Sequence, residues 1–122
     1  MGKRNIMPDL HIEEQELEEG VVLLDASGFL DAFTVEDLRE KFQELFDRGC
    51  NRIIVKLDNL TYISSAGAGA FIEANQLAND GGGKLVILNP SQNVYGVFDL
   101  LGLIKILNIT KDLNKAKIVV QS

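Results

Sequence analysis

The sequence predicts a single α/β domain built on a mixed sheet. Its 122 residues fit one domain, since domains most often contain ~100–150 residues. From residue 21 onward, short β-branched apolar runs alternate with segments of helical periodicity. This alternation produces parallel strands joined by right-handed crossovers, and an edge strand near the N-terminus makes the predicted sheet mixed.

The N-terminal part is predicted to contain a flexible start and two strands. Residues 1–8 are polar and end in a proline, so the domain is expected to span residues 9–122. Leu10 to Leu17 alternates apolar and polar residues as an edge strand does, and the acidic run Glu13 to Glu19 is interpreted as its solvated turn. Val21 to Leu24 is a buried strand that breaks at Ser27-Gly28.

A first helix follows Thr34, which can cap it. Apolar residues recur at three-and-four spacing from Val35 to Phe46, and Arg48-Gly49 marks the end. The later elements alternate in the same way. They are a central strand at 52–58, a helix at 66–79 closed by three glycines, a strand at 84–89, a helix after Pro90-Ser91 stopped by Gly102, a short strand at 105–109 and a terminal helix from Asp112.

Composition excludes several classes of function. Twelve Lys and Arg residues against eighteen Asp and Glu residues leave a formal charge of −6, which argues against a nucleic-acid partner. No apolar stretch approaches the ~18 residues of a spanning helix, and the start lacks a signal-peptide core, so we expect a cytoplasmic protein without a membrane partner. With one cysteine and one histidine, we expect no metal site, no cofactor and no hydrolytic catalysis.

The connection from Asn59 to Gly69 carries the most informative chemistry. Ser64 and Ser65 stand at a strand-to-helix junction, where free backbone N–H groups favour oxygen and negative charge. Two interpretations fit, an N-cap or a functional serine. Gly67-Ala68-Gly69 also begins like a dinucleotide-binding loop, but Ile72 occupies the place of the third glycine, so nucleotide binding is the weaker alternative.

The run from Tyr62 to Gly69 resembles the phosphorylation-site signature of bacterial anti-sigma-factor antagonists, which are STAS-domain proteins. Three other stretches agree with this resemblance, in the family's order. They are the loop Gly28 to Asp31 before a capped helix, the central strand Ile53 to Leu60, and Asn89 to Ser91 leading to Gly102-Leu103. Together the stretches cover roughly residues 10–120.

The resemblance implies a mixed four- or five-stranded sheet with helices packed on one side, and no catalytic activity. In this family the unphosphorylated antagonist binds an anti-sigma factor and so frees the sigma factor. The anti-sigma factor is itself an ATP-dependent serine kinase, which phosphorylates the serine at the start of the second helix. A metal-dependent serine phosphatase removes the group.

The resemblance places the phosphorylated serine at Ser65, and Ser64 is the less favoured candidate. Ser64 stands where the family most often has aspartate, and Ala68 stands where it has a larger aliphatic residue. With a helix beginning at Ala66, Ser65 would be the cap and Ser64 would point elsewhere. The loops after parallel strands gather at one sheet edge. The expected partner-binding residues there are Asp31, Ser64, Ser65, Ala66, Gly67, Ala68, Asn89 and Ser91.

Alternatives from the residues alone stay open for parts of this site. Asp31 also fits a solvated turn residue, and Asn89 to Ser91 also fits ordinary helix-start capping. A second functional hypothesis is a STAS module that scaffolds or regulates a non-sigma signalling partner, in which Ser64 marks loss of the phosphoswitch. A third is a small nucleotide-binding protein, although no phosphate-gripping lysine stands near Gly67 to Gly69.

Overall fold

The structure is a computed structural model that describes residues 9–18 and 20–122. The predicted flexible start at residues 1–8 lies outside the described residues. Strands and helices alternate as the sequence predicts. Their order is β1 (Leu10–Glu18), β2 (Val21–Leu30), α1 (Val35–Asp47), β3 (Arg52–Lys56), β4 (Leu60–Ile63), α2 (Ser65–Asp80), β5 (Lys84–Leu88), α3 (Gln92–Leu100), a 3₁₀ turn (Leu103–Lys105), β6 (Asn108–Thr110) and α4 (Leu113–Gln121).

The sheet is mixed and follows the order β1-β2-β3-β5-β6. β1 pairs antiparallel with β2, and the other pairings are parallel. β2 pairs with β3 through Val21–Asp25 and, further along, with β4 through Gly28–Leu30. The α/β prediction is confirmed, and the described residues form six strands where four or five were expected. The additional strand β4 has only four residues, two of them exposed, and so gives no clear periodicity.

Helices cover both faces of the sheet. α1, α2 and α3 bury the larger core, in which Phe71 contacts Phe42 and Phe98 edge to face. α4 packs Ala116 and Val120 on the opposite face, so the expectation of helices on one side holds for three helices and not for the fourth. The reason is that the central parallel strands are apolar on both faces, and each face therefore needs a cover.

Two predictions in the N-terminal part are wrong. Glu13 to Glu18 forms the second half of β1 and is not a turn, because its backbone pairs with β2 and Glu14 forms ion pairs with Lys41 and Arg48 of the α1 region. Glu19 lies outside the described residues. β2 also does not break at Ser27-Gly28 but continues to Leu30. Gly28 allows this because its φ is +101° and a Cβ there would clash with a backbone carbonyl.

The predicted strand at 105–109 is also wrong in its bounds. The segment begins with the 3₁₀ turn, and only Asn108–Thr110 pairs with β5. Leu103 and Leu107 are both buried, and this four-residue spacing suits one side of a helical turn better than a strand. The terminal helix is confirmed as α4, and Asp112 caps it by accepting a hydrogen bond from Asn114 N at 2.9 Å.

Candidate functional site

Three loops meet at the end of the sheet where the parallel strands have their C-termini. They follow β2, β4 and β5, and hydrogen bonds join them. Ser64 N donates to Leu30 O at 2.9 Å, which ties the start of α2 to the end of β2. Ser91 Oγ donates to Leu60 O at 2.6 Å, which ties the β5–α3 loop to β4. The structure therefore brings the sequence-predicted site residues to one edge.

Ser64, and not Ser65, is the N-cap of α2. Its backbone is extended, with φ −93° and ψ 173°, and its Oγ accepts a hydrogen bond from Gly67 N at 3.2 Å. The expectation that the helix begins at Ala66 with Ser65 as its cap is wrong by one residue. Either serine suits the cap by residue type, and the hydroxyl that reaches an N–H three residues on is that of Ser64.

Ser65 is the first helical residue of α2, and its side chain is exposed. Among the described residues, no hydrogen-bond partner engages its hydroxyl. The positive end of the helix dipole lies at this turn, which contains no acidic side chain. A hydroxyl at this position is accessible to a phosphate donor, and the helix start favours the negative charge that phosphorylation would add.

The residues after Ser65 hold the first turn against the core. Gly67 is buried, and a Cβ there would lie 2.8 Å from Leu30 Cγ and 3.0 Å from Ile63 Cγ1. Ala68 is buried and Ala66 is half-buried. These small side chains let α2 start close to β2 and β4, so Gly67 and Ala68 can serve a partner surface only by positioning this turn.

Asp31 closes the turn between β2 and α1. Its Oδ1 accepts hydrogen bonds from Phe33 N at 2.9 Å and Thr34 N at 3.1 Å. Thr34 stands at the N-cap position of α1, but its hydroxyl donates to Phe29 O at 2.8 Å and accepts from Asp31 N at 3.0 Å. The predicted side-chain cap by Thr34 is therefore wrong. Asp31 is half-buried, and its carboxylate stabilises the turn by accepting these backbone hydrogen bonds.

Three exposed aromatic side chains flank the turn, and the sequence analysis missed them. Phe33, held between Asp31 and Thr34, is 86% exposed. Phe29 of β2 lies opposite Tyr62 of β4, and their ring centroids are 5.7 Å apart. A signal was available, because Phe29 and Tyr62 alternate with the buried Leu30 and Ile63 and so must face outward. Phe29 and Tyr62 contact each other, and Phe33 lies four residues after Phe29 in the turn that follows β2. We call these three residues the aromatic patch.

The β5–α3 loop forms the third side of the site. Asn89 has φ +51°, and its N–H donates to Thr110 O at 2.7 Å. Ser91 stands at the N-cap position of α3, yet its hydroxyl makes no cap hydrogen bond and instead reaches β4. The interpretation of Ser91 as a side-chain cap of α3 is therefore wrong. The hydroxyl fixes the loop to the strand that leads into Ser64.

The described residues contain no group of three or more His, Cys, Asp and Glu side chains that could hold a metal ion. Cys50 lies at the opposite edge of the sheet, before β3, and burial raises the pKa of its thiol. The thiol is therefore protonated at neutral pH. Across residues 9–18 and 20–122, no helix has the length and apolarity needed to cross a bilayer.

Comparison with known proteins gives consistent matches. Residues 14–116 match the STAS domain family. The anti-sigma F factor antagonist of Paenibacillus polymyxa is 32% identical over 97 residues, which cover 79% of this chain and 83% of that protein. The Bacillus cell fate determinant SpoIIAA in its phosphorylated form has a TM-score of 0.70 at 23% identity, covering 89% of this chain and 99% of that one. Unphosphorylated SpoIIAA has a TM-score of 0.76 at 24% identity, covering 89% and 96%.

Proposed function

The chain belongs to the STAS-domain family, and we propose that it is an anti-sigma-factor antagonist controlled by phosphorylation of Ser65. The unphosphorylated protein binds an anti-sigma factor that is also a serine kinase, and so releases the sigma factor. Phosphate on Ser65 ends this binding, and a metal-dependent serine phosphatase restores it. In this proposal the chain is a binding protein of the cytoplasm and catalyses no reaction itself.

The observation that carries the proposal is the division of roles between the two serines. Ser64 Oγ accepts from Gly67 N, whereas Ser65 is exposed at the first helical position. Aspartate and serine are both good N-caps, so Ser64 can replace the family's usual aspartate in that role. The departure from the family pattern therefore leaves the cap in place and Ser65 available.

Phosphorylation is expected to act on the partner and not on the fold. A phosphoserine adds about −1.5 to −2 charges, and the start of a helix accommodates this charge. A partner that covers Ser65 would have to remove water from the charged phosphate, or would bring its own negative groups close to it, and both cost free energy. A cost of several kcal/mol corresponds to a loss of affinity of about 10²-fold or more.

The aromatic patch supports a protein partner at this edge. Exposed aromatic side chains are typical anchors of protein interfaces, and Phe33 is held by the hydrogen-bonded turn of Asp31 and Thr34. Because the turn fixes the backbone on both sides of Phe33, little backbone freedom is lost when the ring is buried. The patch adjoins the β4–α2 junction through Tyr62, three residues before Ser65. We therefore expect a partner that contacts Tyr62 to lie close to the start of α2, where Ser65 stands.

The test is phosphorylation by candidate anti-sigma kinases from the same cell, with ATP and mass mapping of the phosphate. We expect phosphate on Ser65 in the wild-type protein and in Ser64→Asp, and none in Ser65→Ala. Ser122→Ala is the control and should leave the phosphate on Ser65, because that hydroxyl lies beside Lys84 at the start of β5, away from the β4–α2 junction. Phosphate on Ser64 in Ser65→Ala at the wild-type rate would contradict the proposed acceptor.

The two alternatives make different predictions. A STAS module for a non-sigma partner would acquire no phosphate on either serine from any such kinase. A nucleotide-binding protein would bind ATP or GTP tightly by itself, but Gly67 and Gly69 lie within α2, and Gly67 N is already bonded to Ser64 Oγ. This geometry does not form a loop that wraps phosphate groups, so we favour the antagonist.

A further inference from the structure

One peptide group joins the end of β2 to the start of α2. It is the peptide between Leu30 and Asp31, and it makes a hydrogen bond on each side. Its carbonyl oxygen, Leu30 O, accepts from Ser64 N at 2.9 Å. Its N–H, which belongs to Asp31, donates to Thr34 Oγ at 3.0 Å. Because a peptide group is planar and rigid, the Thr34 hydroxyl on one side helps to fix the position of the Ser64 amide on the other.

The Thr34 hydroxyl is itself held in place by β2. It donates to Phe29 O at 2.8 Å, which is a closer acceptor than Asp31 Oδ1 at 3.3 Å. A hydroxyl has one hydrogen to donate, and its lone pairs remain for the Asp31 N–H. Thr34 is only 7% exposed, so almost none of its surface is open to a partner. Any effect of Thr34 on a partner protein must therefore act through other residues.

The first turn of α2 rests on the same peptide group at a second point. Gly67 packs so closely that a Cβ there would lie 3.0 Å from Leu30 O. Rotation of the peptide would therefore shift the turn that carries the Ser65 hydroxyl. In phosphoryl transfer the Ser65 oxygen bonds to the γ-phosphorus of ATP, ADP leaves, and the hydroxyl proton passes to a base of the kinase. A displacement of ~1 Å at a reacting group can cost about 10²-fold in rate.

We propose that Thr34 is a positioning residue for the phosphorylation of Ser65, an inference that rests on the function proposed above. Its hydroxyl fixes the Leu30–Asp31 peptide, and the peptide fixes the turn that presents the acceptor. Phe33 has a separate role, because the Asp31 carboxylate holds its turn through the backbone N–H groups of Phe33 and Thr34. A change of the Thr34 side chain leaves those N–H groups in place, so loss of the hydroxyl impairs the transfer step and not docking.

The test is the rate at which the anti-sigma kinase phosphorylates Thr34→Val, which keeps the shape of the side chain and removes its hydroxyl. We expect turnover at saturating protein to fall about tenfold, with KM within about twofold of the wild type. Thr34→Ser retains the hydroxyl and should restore turnover. Phe33→Ala should show the opposite split, with a higher KM and unchanged turnover. Thr61→Val is the matched control, because the Thr61 hydroxyl donates to Gly28 O at 3.0 Å and touches neither side of the peptide.

A second measurement needs no kinase. Amide hydrogen exchange at Ser64 should become about fivefold faster in Thr34→Val, because loss of a supporting hydrogen bond makes local opening easier. Ile54 in the central strand β3 reports any general loss of stability. Unchanged exchange at Ser64, faster exchange at Ile54 alone, or equal turnover of Thr34→Val and the wild type would each overturn the role of Thr34. Absence of phosphate on the wild-type protein would instead overturn the proposed function as a whole.

Discussion

The hydroxyl of Ser64 accepts a hydrogen bond from Gly67 N, and this bond makes the two serines unequal for stability. Ser64→Ala is expected to lower the free energy of unfolding by about 1 kcal/mol, as loss of an N-cap does. Ser64→Asp should retain it, because a carboxylate caps equally well and favours the helix dipole. Ser65→Ala, at an exposed position, should change it by less than about 0.5 kcal/mol. Urea unfolding measures all three, and a larger loss for Ser65→Ala would contradict the assigned cap.

Gly67 and Gly69 lie two residues apart in α2 and should respond to alanine with opposite sign. A Cβ at Gly67 would lie within 3.0 Å of Leu30 and Ile63, whereas a Cβ at Gly69 meets nothing within 4 Å. Gly67→Ala should destabilise the protein by about 1 kcal/mol, because overpacking exceeds the gain in helix propensity. Gly69→Ala should stabilise it by about 0.5–1 kcal/mol. Thermal unfolding with the same sign for both variants would contradict this packing.

Phe33 is expected to contribute to binding and not to stability. Its side chain is 86% exposed, so Phe33→Ala should leave the unfolding midpoint within a degree or two of the wild type. Truncation of an interface anchor costs about 2 kcal/mol or more, which weakens binding of the anti-sigma partner by about 30-fold. Calorimetric titration measures the affinity. Leu100→Ala is the control, because Leu100 is 85% exposed and is the last residue of α3, nine residues after Ser91. Equal effects of the two variants would contradict a role for the patch.

The sequence was enough to pick out the two serines of the candidate site, but not to say which of them caps α2. The signature from Tyr62 to Gly69 indicated both serines, but capping chemistry permits either one at a helix start. Which hydroxyl reaches the backbone N–H depends on where β4 ends, and that depends on the pairing of Ile63 with Leu30. Phe33 was missed because an exposed aromatic residue in a turn has no periodicity.

At the scale of elements, β1 is held to α1 by charge as well as by backbone pairing. The pKa of Glu14 is lowered chiefly by its hydrogen bond from Arg48, with a further contribution from Lys41. Because the pKa of this carboxyl is lower in the folded state than in the unfolded chain, it adds its full stability at pH values above its pKa in the unfolded chain. That stability is lost as the pH falls through the lower, folded pKa.

Glu14→Gln is therefore expected to lower the melting temperature at pH 7 by less than about 5 °C, since the ion pairs are partly exposed. The difference from the wild type should shrink as the pH falls through the acid range of Glu14 and should vanish once Glu14 is protonated. Glu13→Gln, an exposed neighbour on the same strand, is the matched control. Scanning calorimetry from pH 7 to pH 3 measures both variants, and a difference that grows toward low pH would contradict the assignment.

Elements with strong periodicity were predicted well, and those without it were not. The apolar spacing from Val35 to Phe46 identified α1 within a residue at each end. β4 was missed because four residues with two exposed side chains resemble a loop. The acidic half of β1 has the local pattern of a turn, because the contacts that hold it as a strand come from β2 and from cations on α1, which lie outside any local window of sequence.

At the scale of the whole molecule, the fold class followed from the order of the elements, whereas the second helical layer did not. Parallel strands such as β3 and β5 have consecutive buried apolar residues, Ile53–Val55 and Leu85–Leu88, and this pattern predicts a cover on both faces. α4 provides that cover with Ala116 and Val120, but a short amphipathic helix at the C-terminus could have packed on either side. Its placement follows from the face that the other three helices leave open.

The central claim is that one phosphate on Ser65 switches partner binding while the fold stays the same. The most direct measurement compares the affinity of the anti-sigma kinase for the unphosphorylated protein and for protein phosphorylated at Ser65, with circular dichroism and melting of both forms. We predict a loss of affinity of about 10²-fold or more, with the two forms folded alike. Equal affinity of the two forms, or weaker binding accompanied by loss of structure, would contradict the account.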